Sequence, residues 1–169
     1  MMNRNLLTII CCFFTIMLSV QSIHAQTEKI NLADVELKLH DNSTVKLSDL
    51  KGKVVLIDFW YRSCFPCLKA IPDLIKIQEE FKDDLVIIGI NDIDDQQDIK
   101  EYFEYKNVNY LSTYKTDISI SGGAKITAFP TTILYDKQGK IIQTDIGYSK
   151  SSIRSLKRAI KKVLKEKSS

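Results

Sequence analysis

The residues in this chain best suited to chemistry are two cysteines separated by two positions, in the run Cys64-Phe65-Pro66-Cys67. At this spacing two thiols can close a small ring, so the pair can cycle between dithiol and disulfide. The run follows a strand-like apolar segment and opens a helical pattern, with Pro66 suited to a first helical turn. There, amide donors and the positive end of the helix dipole stabilise a thiolate on the first cysteine. Cys64 is therefore expected to be the exposed nucleophile that forms a mixed disulfide. Cys67, one turn further in, is expected to attack Cys64 and release the product. Arg62 either adds positive potential or points into water.

Other chemistries for the pair are weaker. Tetrahedral zinc needs two further ligands. Beyond residues 1–25 the chain offers no other cysteine and one histidine, His40. A purely structural disulfide across four residues removes little chain entropy. Two thiolates suit Cu(I), but no Met or His cluster lies near them in sequence.

The elements that position the cysteines follow from hydrophobic patterning. Val54 to Trp60 is a nearly continuous β-branched and aromatic run, the signature of a central strand covered on both faces. Asp58 inside it is conspicuous. Burial raises the pKa of such a carboxyl, which lets it take a proton from Cys67; the other reading is a strand-end acid reaching solvent. Leu68, Ile71, Leu74, Ile75 and Phe81 have helical spacing, with Pro72 expected to kink the helix.

Leu85 to Ile90 is a second buried strand. Ile99, Tyr102 and Phe103 mark a helix within 95–106. Over 107–125 the pattern is less clear, and Gly122-Gly123 suggests a turn between a short strand and a short helix. Thr131 to Tyr135 is a third core strand. It turns at Asp136 to Gly139 into an antiparallel return over Lys140 to Ile146. Asp34 to Leu47 reads as a hairpin around Asp41-Asn42-Ser43. The terminal helix buries Ile153, Leu156, Ile160, Val163 and Leu164, with Ser149 or Ser151 as its cap and a solvated basic face. The order predicts a mixed α/β sheet with helices on both faces and an N-terminal hairpin extension.

Residues 1–25 are a different kind of sequence. They hold one charged side chain, Arg4, then the apolar stretch Leu6 to Val20, and end at Ala25 before a polar run. This is the pattern of a cleaved secretory signal peptide, and the stretch is shorter than a spanning helix needs. The alternative is an uncleaved anchor. Cleavage near Ala25–Gln26 leaves 26–169 as one domain that keeps only Cys64 and Cys67. In an oxidising compartment such a pair is a candidate disulfide. The chain has 169 residues, 44% of them hydrophobic and 27% charged, which excludes a disordered tail or a fibre. Its formal net charge of +3 is too small to argue for nucleic acid, and the absence of a long heptad pattern predicts a monomer.

The stretch Phe59 to Cys67 resembles the thioredoxin-type active site, specifically that of the TlpA/ResA-like exported thiol–disulfide oxidoreductases. The resemblance covers about residues 30–165. Leu47 to Lys53 is similar to this branch's leader into the core strand, which it shares with peroxiredoxins. Phe129-Pro130-Thr131 resembles the family's cis-proline loop. The resemblance implies that Pro130 is cis against the disulfide and that the backbone before it pairs with an extended substrate segment. It implies that Asp58 is the family's buried acid. It also implies protein substrates carrying disulfides or thiols, a membrane-embedded thiol electron donor, a site in the periplasm or cell envelope, and no metal or organic cofactor.

Two positions depart from the pattern: Ser63 where many relatives carry Trp, and Ala70 where the ResA branch carries an acid. Trp60, Tyr61 and Phe129 are read either as an apolar substrate rim or as core. Phe65 gives the thiolate no hydrogen-bond donor, and a strong oxidant needs a heavily stabilised thiolate, which leans the expectation towards a reductant. A peroxiredoxin-like peroxidase and a non-enzymatic copper-binding or scaffold domain remain as alternatives. The peroxidase would require a Pro-x-x-x-Thr-x-x-Cys arrangement that the segment before Cys64 lacks.

Overall fold

At the centre of the sheet, every residue of β3 (Val54–Phe59) is buried. A strand covered on both faces gains apolar burial from each side chain, roughly 1.5–3 kcal/mol for each large one. The computed structural model describes residues 35–115 and 119–165. The leader expected over 1–25 and Asp34 lie outside the described residues. Among the described residues no helix is long and apolar enough to cross a membrane.

The elements run β1 (Glu36–Lys38), β2 (Thr44–Lys46), a 3-10 turn (Leu47–Leu50), β3, α1 (Phe65–Glu80), β4 (Leu85–Ile90) and α2 (Gln96–Lys106). They continue through β5 (Leu111–Ser112), α3 (Ile120–Gly123), β6 (Thr131–Tyr135), β7 (Ile141–Ile146) and α4 (Lys150–Lys165). β1 and β2 pair antiparallel as the expected hairpin. The main sheet has the order β5-β4-β3-β6-β7. β3, β4 and β5 are parallel, and β6 and β7 are antiparallel to their neighbours.

Both βαβ crossovers, β3-α1-β4 and β4-α2-β5, step the same way across the sheet. Right-handed connections therefore put α1 and α2 on one face, and α4 joins them. That core contains Val54, Leu56, Ile71, Leu74, Ile99, Phe103, Leu156 and Ile160. The opposite core contains Val55, Ile57 and Phe59 with Leu37 and Leu39 of the hairpin and Ile120 of α3. Helices stand on both faces, as expected, but the second face is covered mainly by the hairpin. The hairpin is tied to β5 by His40 N–H donating to Ser112 O at 2.9 Å.

Some boundaries differ from expectation. α1 runs through Pro72, whose missing N–H leaves the Leu68 carbonyl without its helical donor. Gly122 and Gly123 lie inside α3 rather than before it, because Ser119 caps the turn by accepting from Gly122 N–H at 3.1 Å. Of the two candidate caps of α4, Ser149 is used: its Oγ accepts from Ser152 N–H at 3.0 Å.

One glycine is required by a close approach. A Cβ on Gly89 would sit 2.7 Å from Trp60 Nε1 and 2.8 Å from Ser112 Oγ. Trp60 Nε1 donates to that hydroxyl at 2.9 Å. Gly89→Ala is therefore expected to destabilise the fold by about 1–3 kcal/mol. Urea unfolding checks this, and the fluorescence of Trp60, the single tryptophan, should shift as its hydrogen bond is displaced.

Candidate active site

The β3 strand ends at Phe59, which pairs with Thr131 at the start of β6. The two loops beyond that pair leave the same end of the sheet. One carries Tyr61 to Cys64, the other Phe129 and Pro130. The rings of Tyr61 and Phe129 meet edge to face, 5.2 Å between centroids.

Cys64 is the N-cap of α1, and its Sγ accepts from Cys67 N–H at 3.2 Å. Cys64 and Cys67 form a disulfide with an S–S distance of 1.98 Å. The sulfur of Cys64 thus lies where the first-turn amide and the helix dipole favour negative charge. Its exposure differs from expectation. Cys64 is 4% exposed and Cys67 1%, so the order is as expected but neither stands free of the surface. The N-cap geometry folds the Cys64 side chain back over the helix end. Of the two readings of Arg62, added positive potential or a side chain free in water, neither holds in full: its guanidinium is paired with Asp98 at 2.5 Å, and its backbone N–H donates to Asp94 at 2.7 Å.

Asp58 is buried, at 1% exposed. Strand alternation puts its side chain on the α1 face with Leu56 and Trp60, the face that holds both cysteines. Its Oδ1 has no hydrogen-bond partner among the described residues. Burial pushes its pKa up to about 7. The reading of Asp58 as a strand-end acid reaching solvent is thereby set aside. Ala70, where the branch carries an acid, is buried on α1.

The peptide bond between Phe129 and Pro130 is cis. Thr131 Oγ1 donates to Ala128 O and Gly147 N–H to Pro130 O, each at 2.7 Å. Among the described residues the N–H and C=O of Phe129 have no backbone partner.

Trp60 has to be corrected. Expected as part of a substrate rim, it is 1% exposed, stacks on Phe103 with centroids 5.2 Å apart, and bonds Ser112. It continues the inward register of β3. The aromatic that does face solvent is Phe65, 66% exposed, with Lys69 Nζ 4.4 Å from its ring centre. The signal for it was present in sequence: if both cysteines of a first helical turn face inward, the two residues between them, Phe65 and Pro66, face out. Phe65, Tyr61 and Phe129 are thus the aromatic side chains bordering the pair.

Residues 30–144 match the model of the AhpC/TSA family. The chain is 29% identical over 117 residues to the thioredoxin-like protein YneN of Bacillus subtilis, covering 68% of each chain. It is 30% identical over 104 residues to the thiol-disulfide oxidoreductase ResA of the same organism, covering 61% of this chain and 58% of ResA. The match therefore spans less than two thirds of ResA's length. Among solved structures, the thioredoxin domain of a thiol-disulfide oxidoreductase from Bacteroides vulgatus superposes with a TM-score of 0.66 at 26% identity, covering 77% of this chain and 96% of that one. The exposed lipoprotein thioredoxin Etrx1 of Streptococcus pneumoniae superposes with a TM-score of 0.64 at 27% identity, covering 77% and 99%. The fold is thioredoxin-like.

Proposed function

The chain belongs to the AhpC/TSA family, and on that premise we propose that it is a thiol–disulfide oxidoreductase that reduces disulfides in exported proteins. The observation that carries this is the disulfide at the N-terminus of α1, next to the loop with the cis Phe129–Pro130 bond.

In the reduced protein the Cys64 thiolate attacks one sulfur of a substrate disulfide. The substrate's other sulfur leaves as a thiolate and takes a proton, and a Cys64–substrate mixed disulfide forms. Asp58 accepts the Cys67 proton. The Cys67 thiolate attacks Cys64 Sγ, the Cys64–Cys67 disulfide closes, and the second substrate sulfur is released. Two electrons have passed to the substrate. A thiol donor then restores the dithiol, and a membrane-embedded relay suits a protein in the periplasm or cell envelope. Residues 1–25 supply the export signal, leaving 26–169 as the working domain. Phe129 offers its free backbone groups to an extended substrate segment, with Pro130 fixing the loop. Tyr61 and Phe65 provide apolar contact beside it. The peroxidase alternative loses its arginine, since Arg62 is held by Asp98.

The test is the reduction potential of the Cys64–Cys67 couple, by equilibration in defined thiol buffers. A value near that of thioredoxin, about −270 mV, is expected. A value near about −120 mV would make the protein an oxidant. A pair with no reversible couple would remove the oxidoreductase reading altogether.

A further inference from the structure

The side chains that tie α4 to α1 form two rungs, and the rungs are not alike. Both helices start at the end of the sheet that carries the cysteines, because β7, like β3, runs antiparallel to β6. The far rung is Glu80 with Lys157 at 2.5 Å and Lys161 at 3.1 Å, and its carboxylate is 35% exposed. Ion pairs in that setting contribute little. The near rung is Asp73, about two helical turns closer to the cysteines. Its side chain is 13% exposed, and its Oδ2 accepts from both Lys150 Nζ and the Tyr148 hydroxyl, each at 2.7 Å. Burial pushes the Asp73 carboxyl up, but the bonds from Lys150 and Tyr148 outweigh it and hold the group below its ordinary value.

Lys150 already balances the charge of Asp73, so the tyrosine has another use. Tyr148 belongs to the turn between β7 and α4. It directly follows Gly147, whose N–H donates to Pro130 O at 2.7 Å, and Ile146 before that pairs with Thr131. The turn thus holds the Phe129–Pro130 loop on one side and, through the tyrosine hydroxyl, α1 on the other. On α1 the bond arrives next to Pro72, where the helical ladder lacks a donor, just beyond the turns that carry Cys64 and Cys67. A tyrosine places its hydroxyl with two torsions, whereas a lysine ammonium rides on a flexible four-carbon stem. Tyr148 is therefore the stiff member of the rung.

We infer that Tyr148 is a positioning residue for the capture of protein disulfides: its hydroxyl, held by Asp73 on α1, keeps Gly147 against Pro130 and so fixes the Phe129–Pro130 loop relative to the helix that carries the cysteines. A substrate segment that lies along Phe129 must present its sulfur to Cys64 at the same time. The two can be met together only if the loop and the start of α1 keep a set separation, and fixing that separation in advance removes an ordering cost from binding. A small disulfide has no segment to lay along the loop and reaches Cys64 without it. Tyr148 therefore acts on the binding of protein substrates and leaves the exchange chemistry at the sulfurs alone. This rests on the proposed oxidoreductase activity, but one of its tests needs no turnover.

The reduced full chain is assayed with insulin as the protein disulfide and bis(2-hydroxyethyl) disulfide as the small one. In Tyr148→Phe, which keeps the ring and removes the hydroxyl, KM for insulin is expected to rise about fivefold, the scale of one lost hydrogen bond, with kcat unchanged. The rate with the small disulfide and the reduction potential should not move. Asp73→Ala removes the acceptor and should give the same rise, and the double variant no more than either. Glu80→Ala cuts the far rung between the same two helices and should leave KM where it is. An unchanged KM in Tyr148→Phe, or an equal rise in Glu80→Ala, overturns the inference. If Tyr148→Phe does not fold, Asp73→Ala decides by the same readings. Hydrogen exchange of the Gly147 amide needs no turnover. It should quicken about fivefold in Tyr148→Phe, and an unchanged rate overturns the link. A quickened amide in a protein that reduces neither disulfide would keep the link and remove the proposed function instead.

Discussion

Cys64→Ala abolishes disulfide-exchange turnover, whereas Cys67→Ala leaves a protein that reacts once and stays attached to its substrate. The asymmetry follows from the helix. Cys64 Sγ sits at the N-cap, next to the Cys67 amide, so its thiolate is the stabilised one and makes the first attack. Cys67, at 1% exposed, is reached only from inside. Its task is the intramolecular attack that frees the substrate. Two thiols held one helical turn apart react with effective molarities that no dissolved thiol matches. Loss of Cys67 should therefore slow release by roughly a thousandfold or more, well within what intramolecular placement supplies. Mass spectrometry of Cys67→Ala after exposure to a model protein disulfide should find the mixed disulfide. The Cys64→Ala protein under the same conditions should show none. Equal turnover in both variants and wild type would remove the mechanism.

How much of this was legible in the sequence depends on the range of the interactions concerned. The buried run over β3, the helix opening at Pro66 and the position of the cysteine pair are local patterns, and each is found where the pattern puts it. The cis bond before Pro130 came from resemblance to a family, since nothing local favours it. Trp60 admits both readings, rim and core, because it ends the β3 run beside a reactive loop. The period of two that runs through Leu56 and Asp58 points it inward. The neutralised Arg62 was out of reach, because Asp98 lies in a different element and only the crossover through β4 brings the two together. β5 falls in the stretch where periodicity fails. β5 is two residues long, too short to show alternation, and its pairing with β4 gives it its place in the sheet. The hydrogen bond from Trp60 to Ser112 crosses the same gap. It requires the missing side chain at Gly89, a requirement visible only once the three strands are side by side.

Asp58→Asn should make the oxidised protein more stable at pH 8 while slowing exchange. The folded protein raises this carboxyl from its ordinary value of 3.8 to about 7, so over that interval it binds the proton more tightly than the unfolded chain does. Stability is then highest below the unfolded value, falls as pH rises from 4 towards 7, and is level above that. Asparagine has no proton to lose and no charge to bury. The two proteins should unfold alike near pH 4 and diverge up to pH 7, by an amount approaching roughly 4 kcal/mol at most. Urea unfolding at pH 4 and pH 8 measures this. A difference that does not change with pH would mean that Asp58 is not the buried titrating group described here. In exchange assays the same variant should lose roughly a hundredfold in the step that deprotonates Cys67, the usual scale for removing a general base. The acid limb of the pH profile should disappear with it. The two effects have one origin. Asp58 has no ion pair among the described residues, and its charge opposes folding above neutral pH, so stability gives no reason for a carboxyl at this position. A proton acceptor on the face that holds Cys67 does, because the enclosure that costs stability is also what brings its pKa to the range where a thiol can be deprotonated.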